Sequence, residues 1–115
     1  MTNTRAIGDK QEEIAASYLQ KLGYEILVKN YRDKQGEIDL IAKDGSYLVF
    51  IEVKYRSNLS KGDPAEAVDA KKQMRIRNGA RGYLYHHHLS QEIPCRFDVV
   101  AITGPVSYTH LTLPT

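Results

Sequence analysis

The sequence predicts an α/β domain in the order helix, three strands, helix, strand, built around a mixed central sheet. Three observations predict it. An amphipathic stretch opens the chain, three short apolar runs divided by turn residues follow, and a second amphipathic stretch precedes one more apolar run. The 115 residues fit one domain. We assign that domain to residues 1–104 and treat 105–115 as a C-terminal tail.

The first helix is expected from about Arg5 to Leu22. Ile7, Ile14, Ala15, Tyr18, Leu19 and Leu22 recur at helical spacing and form one apolar stripe. Asn3 or Thr4 caps its start, and Gly23 supplies the left-handed exit. Glu12 lies at the margin of the stripe. Tyr24–Lys29 reads as the first strand and the polar stretch Asn30–Gly36 as a turn, with Gly36 permitting a tight entry to the next strand. Glu37–Ala42 and Tyr47–Tyr55 are two further strands joined by Lys43–Ser46, where Asp44-Gly45 is a hairpin signal. Leu48 to Ile51 are apolar at consecutive positions, so this strand is buried on both faces.

The second helix is expected to open at Asp63-Pro64-Ala65-Glu66. Asp63 serves as cap, Pro64 as first helical residue and Glu66 as the capping-box partner, and the helix runs to about Tyr85. His86-His87-His88 reads as an exposed helix end, because adjacent residues point apart and three in a row rarely hold one ion. Arg96–Thr103 is the last strand, ended by Gly104-Pro105. The first three strands form an antiparallel meander, and the second helix crosses over to bring the last strand into the same sheet. The tail from Val106 carries no charge and little pattern. We expect it to be loosely held, or not native to the domain.

Composition excludes several classes. Apolar residues make up 42% and charged residues 26%, enough apolar surface to build a core, which excludes disorder. No apolar run approaches the roughly 18 residues of a membrane helix, and no apolar stretch near the start resembles an export signal. The single cysteine, Cys95, cannot form an internal disulfide. A cytoplasmic location is therefore expected. The net charge of +2 is too mild to indicate nucleic acid by itself.

The residues that carry chemistry lie on the hairpin. A two-residue turn at Asp44-Gly45 sets Lys43 opposite Ser46 and, counting outward, Asp39 opposite Phe50 and diagonal to Glu52. Alternation then puts Asp39, Glu52 and Lys54 on one face. Two carboxylates about 4 Å apart repel by roughly 4 kcal/mol at an effective dielectric of 20. A divalent cation relieves this, and oxygen-only ligands favour Mg2+, with Mn2+ as a substitute. Lys54 would sit beside the ion, to hold a phosphate oxygen or orient the attacking water. Such a group suits phosphodiester hydrolysis. The bland alternative is a charged strand end in which Glu52 and Lys54 form an ion pair.

Lys71, Lys72, Arg75, Arg77 and Arg81 form a basic run with no acid between Asp69 and Glu92. This is either a surface that follows a phosphate backbone or a solvated helix face. Lys72 sits between Val68 and Ile76 on the apolar stripe, so it either snorkels or points into the cleft, and we favour the cleft. Arg32 shapes the turn or contacts phosphate. Arg56 continues the active strand and is a phosphate contact by position.

Q-G-E-I-D-L-I-A followed by F-I-E-V-K-Y-R resembles the core of the PD-(D/E)xK nucleases. More closely, the chain resembles the small bacterial YraN-like family of predicted endonucleases, related in fold to archaeal Holliday-junction resolvases. The likeness spans about residues 8 to 102. It includes G-D-K-Q-E-E-I-A-A-S-Y-L, G-Y-E-I-L, N-Y-R, Lys72 of V-D-A-K-K, and R-F-D-V-V. Ile38 stands where this branch commonly has proline, and Gln11 where glycine is common. The resemblance implies a restriction-endonuclease-like core, with Asp39 and Glu52 as metal ligands, Lys54 as catalytic lysine and Glu12 as an additional acidic ligand. It also implies a Mg2+-dependent endonuclease acting on DNA, with branched or otherwise structured DNA as substrate and a homodimer that cuts one strand per subunit. The alternatives are a non-catalytic nucleic-acid-binding module that retains the fold, or an adaptor whose acids merely hold an ion.

Overall fold

A computed structural model describes residues 4–56, 69–90, 92–103 and 107–113. Its elements are α1 (Thr4–Lys21), β1 (Glu25–Arg32), β2 (Glu37–Asp44), β3 (Tyr47–Arg56), α2 (Ala70–His86), β4 (Cys95–Thr103) and β5 (Ser107–Leu113). The strands form one sheet in chain order. β1, β2 and β3 are an antiparallel meander, β4 lies parallel to β3, and β5 is antiparallel to β4. The expected α-β-β-β-α-β layout is present, with one strand more. A parallel neighbour needs a crossover, and α2 lies on the connection from β3 to β4.

Two apolar layers follow from the alternation of side chains. On one side Leu40, Ala42, Val49, Ile51, Val100 and Ile102 pack with Ala15, Ala16 and Leu19 of α1. On the other, Ile41, Leu48, Phe50 and Val99 pack with Ile76, Ala80, Tyr83 and Leu84 of α2. β3 contributes to both layers, as its run of consecutive apolar residues requires.

The β1–β2 turn is pressed onto α2. A Cβ on Gly36 would lie 2.1 Å from the Arg75 carbonyl oxygen and 2.7 Å from the Gly79 nitrogen, and one on Gly79 would lie 3.1 Å from Ile38. Gly36 is thus required by close backbone approach. Asp33 organises the turn: its Oδ1 accepts from the Gln35 and Gly36 N–H groups at 2.8 and 2.9 Å, and its Oδ2 accepts from the Tyr31 hydroxyl at 2.9 Å.

Four expectations are corrected. β1 runs to Arg32, so the turn is Asp33–Gly36 and Arg32 stands on a strand. The hairpin turn is Gly45-Ser46, with Asp44 opposite Tyr47, and every β2–β3 pair is displaced by two residues from the expected register. A two-residue displacement by itself preserves faces. α2 begins at Ala70, capped by an extended Asp69 whose side chain accepts from the Lys72 N–H. The expected cap at Asp63 to Glu66 lies outside the described residues. Finally, residues 107–113 form β5 against the open edge of β4, where a loosely held tail was expected.

His86, His87 and His88 lie at the exposed end of α2, where His87 is the cap and its ring rests on Tyr83. No helix among the described residues is long and apolar enough to cross a membrane.

Candidate active site

The site forms where β2 and β3 part. Their paired register ends at Leu40 opposite Ile51. Beyond it, the Val53 N–H donates to Asp39 Oδ2 at 2.8 Å. A side chain has taken over a donor that the ladder leaves open. β2 also loses strict alternation here, since Ile38 joins the α2 layer with Ile41 while Leu40 joins the α1 layer. Asp39 therefore stands at the point where β2 changes face.

Glu52 meets Asp39 from β3, close enough that the charge of Asp39 acts on the Glu52 carboxyl. Glu52 Oε1 lies 3.3 Å from Lys54 Nζ and 3.9 Å from Lys72 Nζ. The Glu52 and Lys54 side chains are 15% and 18% exposed, too little for water to screen them as it screens surface ions. Burial pushes Asp39 up to about 6. The Val53 N–H and Lys54 oppose that shift, and the charge of Glu12 adds to it. Burial likewise pushes Glu52 up to about 7, reinforced by the Asp39 charge and opposed by Lys54. The buried pair therefore holds its protons to higher pH than free carboxyls do, since two close carboxyls resist double ionisation.

Of Glu12, Asp39, Glu52 and Lys54, named from the sequence, the structure sets Glu52 and Lys54 in contact, with Asp39 beside them, while Glu12 does not join the two acids in one cluster. Glu52 pairs with Lys54, and Asp39 feels the charges of Lys54 and of Glu12 on α1. Lys72 takes the cleft orientation from α2. The two carboxyls offer buried oxygen donors of the kind a hard divalent cation takes, with Lys54 and Lys72 already beside Glu52. Among the described residues no three carboxylate, histidine or cysteine groups cluster as a ready-made cage.

Beside this pair a cleft of about 140 Å³ is lined by Glu37, Glu52, Lys72, Arg75 and Ile76. Arg75 Nη2 donates to Glu37 Oε1 at 2.6 Å, and Arg32 Nε lies 3.6 Å from Glu37 Oε2. Two of the expected phosphate contacts thus stand on the rim, one from β1 and one from α2. Lys71 is exposed on α2. Arg56 ends β3, and its side chain lies outside the described residues. Arg77 and Arg81 line a different surface of α2 with Met74 and Asn78, away from the cleft.

Sequence reasoning missed two things. Glu37 was only the first residue of a strand, yet it joins Arg32 to Arg75. The second is a buried network on β4. Arg96 donates from Nε and Nη2 to the two oxygens of Asp98, both at 3.1 Å, from Nη1 to Asp44 at 3.0 Å, and from Nη2 to the Tyr24 hydroxyl. His110 and Thr112 of β5 reach the same Asp98 at 2.7 and 3.0 Å. Burial pushes the Asp98 carboxyl up, but the bonds from His110 and Arg96 outweigh it and hold it below the ordinary range. The signal was Arg-x-Asp, two residues on one strand face.

Residues 11–102 match the family described as Uncharacterised protein family UPF0102. β5 falls outside that match. The chain is 50% identical over 100 residues to a UPF0102 protein of Lachnoclostridium phytofermentans, covering 87% of this chain and 85% of that protein. It is 49% identical over 108 residues to the UPF0102 protein of Coxiella burnetii strain RSA 331, covering 94% and 90%. A Carboxydothermus hydrogenoformans relative is 44% identical over 100 residues, covering 87% and 84%. With most of its length matched, and with relatives of similar size near half identity, the chain belongs to the UPF0102 family.

Proposed function

We propose that this protein is a metal-dependent endonuclease of the YraN-like, PD-(D/E)xK type, hydrolysing phosphodiester bonds of DNA, with branched or structured DNA as the preferred class. The observation that carries the reading is the buried Asp39–Glu52 carboxyl pair with Lys54 Nζ 3.3 Å from Glu52. A surface ion pair does not bury a second acid beside the first, because that costs Coulomb energy without return.

Asp39 and Glu52 would hold Mg2+ or Mn2+, with Glu12 as a further acid from α1. The ion supplies, when bound, a water of lowered pKa and positive charge near the phosphate. Asp39 is held in place by the Val53 N–H on Oδ2, which leaves its other oxygen for an ion. Lys54 offers a proton donor and a positive charge at the site, suited to a non-bridging phosphate oxygen as charge builds there. Lys72 and Arg75 extend positive charge along the cleft, suited to flanking phosphates.

The test is cleavage of plasmid and four-way-junction DNA with Mg2+, Mn2+ or chelator, comparing wild type with Asp39→Ala and Lys54→Ala. Ion-dependent cutting lost in both variants is the expected result. Equal cutting by wild type and both variants marks a contaminant and overturns the proposal. DNA binding without cutting in all three assigns the chain as a binding module.

A further inference from the structure

The acid on the rim poses a physical question. Arg75 Nη2 donates to Glu37 Oε1 at 2.6 Å, and Arg32 flanks the other oxygen with its Nε at 3.6 Å, a nitrogen whose hydrogen bond goes to Asn30 Oδ1 at 3.3 Å. The Arg32, Arg75 and Glu37 side chains are 66%, 51% and 43% exposed, so the cluster contributes little to stability. Nor is it needed to hold the turn on α2. Gly36 and Gly79 bring backbone against backbone there, and Asp33 ties the turn internally. A carboxylate bonded by one arginine and flanked by the charge of a second occupies a place that favours an anionic oxygen, as a phosphate would present.

The cluster also opens onto the catalytic pair, because Glu37, Arg75, Lys72 and Glu52 line one cleft. Lys72 and Arg75 lie three residues apart on α2 and so share a helix face. Positive groups therefore run from Glu52 outward through Lys72 and Arg75 to Arg32.

We propose that Arg32 and Arg75 form a phosphate subsite for the nucleic-acid backbone flanking the scissile bond, and that Glu37 occupies it as an internal stand-in for the phosphate. This rests on the nuclease reading for the identity of the polyanion. Glu37 is a built-in competitor: a phosphodiester must displace its carboxylate, which weakens nonspecific binding. Only a substrate that also engages the Asp39–Glu52 end of the cleft makes enough contacts to do so.

The test measures binding with chelator present, so that cutting does not intervene. A short DNA duplex and a four-way junction are titrated by fluorescence anisotropy at several salt concentrations. The proteins are wild type, Glu37→Gln, the double variant Arg32→Gln/Arg75→Gln, and the triple variant. A second arm adds inorganic pyrophosphate and follows the Arg Nε–H resonances by NMR. Glu37→Gln is expected to bind DNA roughly three- to tenfold more tightly, with a log–log salt slope steeper by about one. The gain is expected to vanish in the triple variant relative to the double.

If Glu37→Gln binds no tighter and pyrophosphate moves neither arginine, the proposal is overturned, even where wild type cuts DNA. If no protein binds DNA but pyrophosphate shifts Arg32 and Arg75 in Glu37→Gln, the anion subsite stands and the nuclease reading falls.

Discussion

Asp39 Oδ2 accepts the Val53 backbone N–H at 2.8 Å, so an acid of the proposed active site also completes the hydrogen bonding where β2 and β3 separate. Its two roles come apart on mutation. Asp39→Asn keeps an acceptor for Val53 and removes the buried charge, so it should abolish cleavage while leaving the fold as stable or more so. Asp39→Ala orphans the Val53 N–H and should cost about 1–3 kcal/mol relative to Asp39→Asn. Urea denaturation of the two variants at neutral pH checks the ranking.

Stability should fall as pH rises through the range in which the pair ionises. Both carboxyls have raised values in the folded state, so the native protein binds more protons than the unfolded chain. Their contribution is fully present below the unfolded values near 4 and is lost as pH climbs through about 6 and 7. The loss should be on the order of a few kcal/mol. Urea midpoints measured from pH 4.5 to 8, a span set by those shifted values, should decline in wild type and flatten in Glu52→Gln.

Divalent cations should reverse that decline. An ion bound only by the folded state adds about 2.7 kcal/mol at one hundred times its dissociation constant. Protons compete for the same oxygens, so the thermal shift produced by Mg2+ should be larger at pH 8 than at pH 5.5, where the raised carboxyls are protonated. Chelator should remove the shift, and Glu52→Gln should not show it.

Gly36→Ala should destabilise by about 1–3 kcal/mol or more, because its methyl would lie 2.1 Å from a backbone oxygen and α2 must move away. Arg75 and Lys72 travel with α2, so DNA binding should weaken together with stability. Gly45→Ala meets no atom within 4 Å, and its cost is confined to strain at φ +60°. Paired denaturation and binding measurements on the two variants separate steric from conformational effects.

Much of this arrangement was legible in the sequence because it depends on parity. Moving the turn from Asp44-Gly45 to Gly45-Ser46 displaced every pair by two residues, yet Asp39, Glu52 and Lys54 still converged. What the sequence did not disclose depends on distant partners. Asp63 and Asp69 both precede helix-forming residues, and local capping chemistry does not choose between them. β5 has no strong pattern of its own, and its pairing comes from the open edge of β4. Arg96 and Asp98 were visible as neighbours on one face, but nothing nearby in the chain announced that Tyr24 and Asp44 would meet them. Glu37 acquired meaning only once α2 lay across the β1–β2 turn.

Because β2 and β3 diverge at their ends, both flanking layers gain entry to the same spot: α1 lends an acid, α2 a base. The sheet holds Asp39, Glu52 and Lys54, while Glu12 and Lys72 come from the helices packed on its two faces. A side chain exchanged on either helix therefore changes the charge at this spot without touching the strand residues that form its centre.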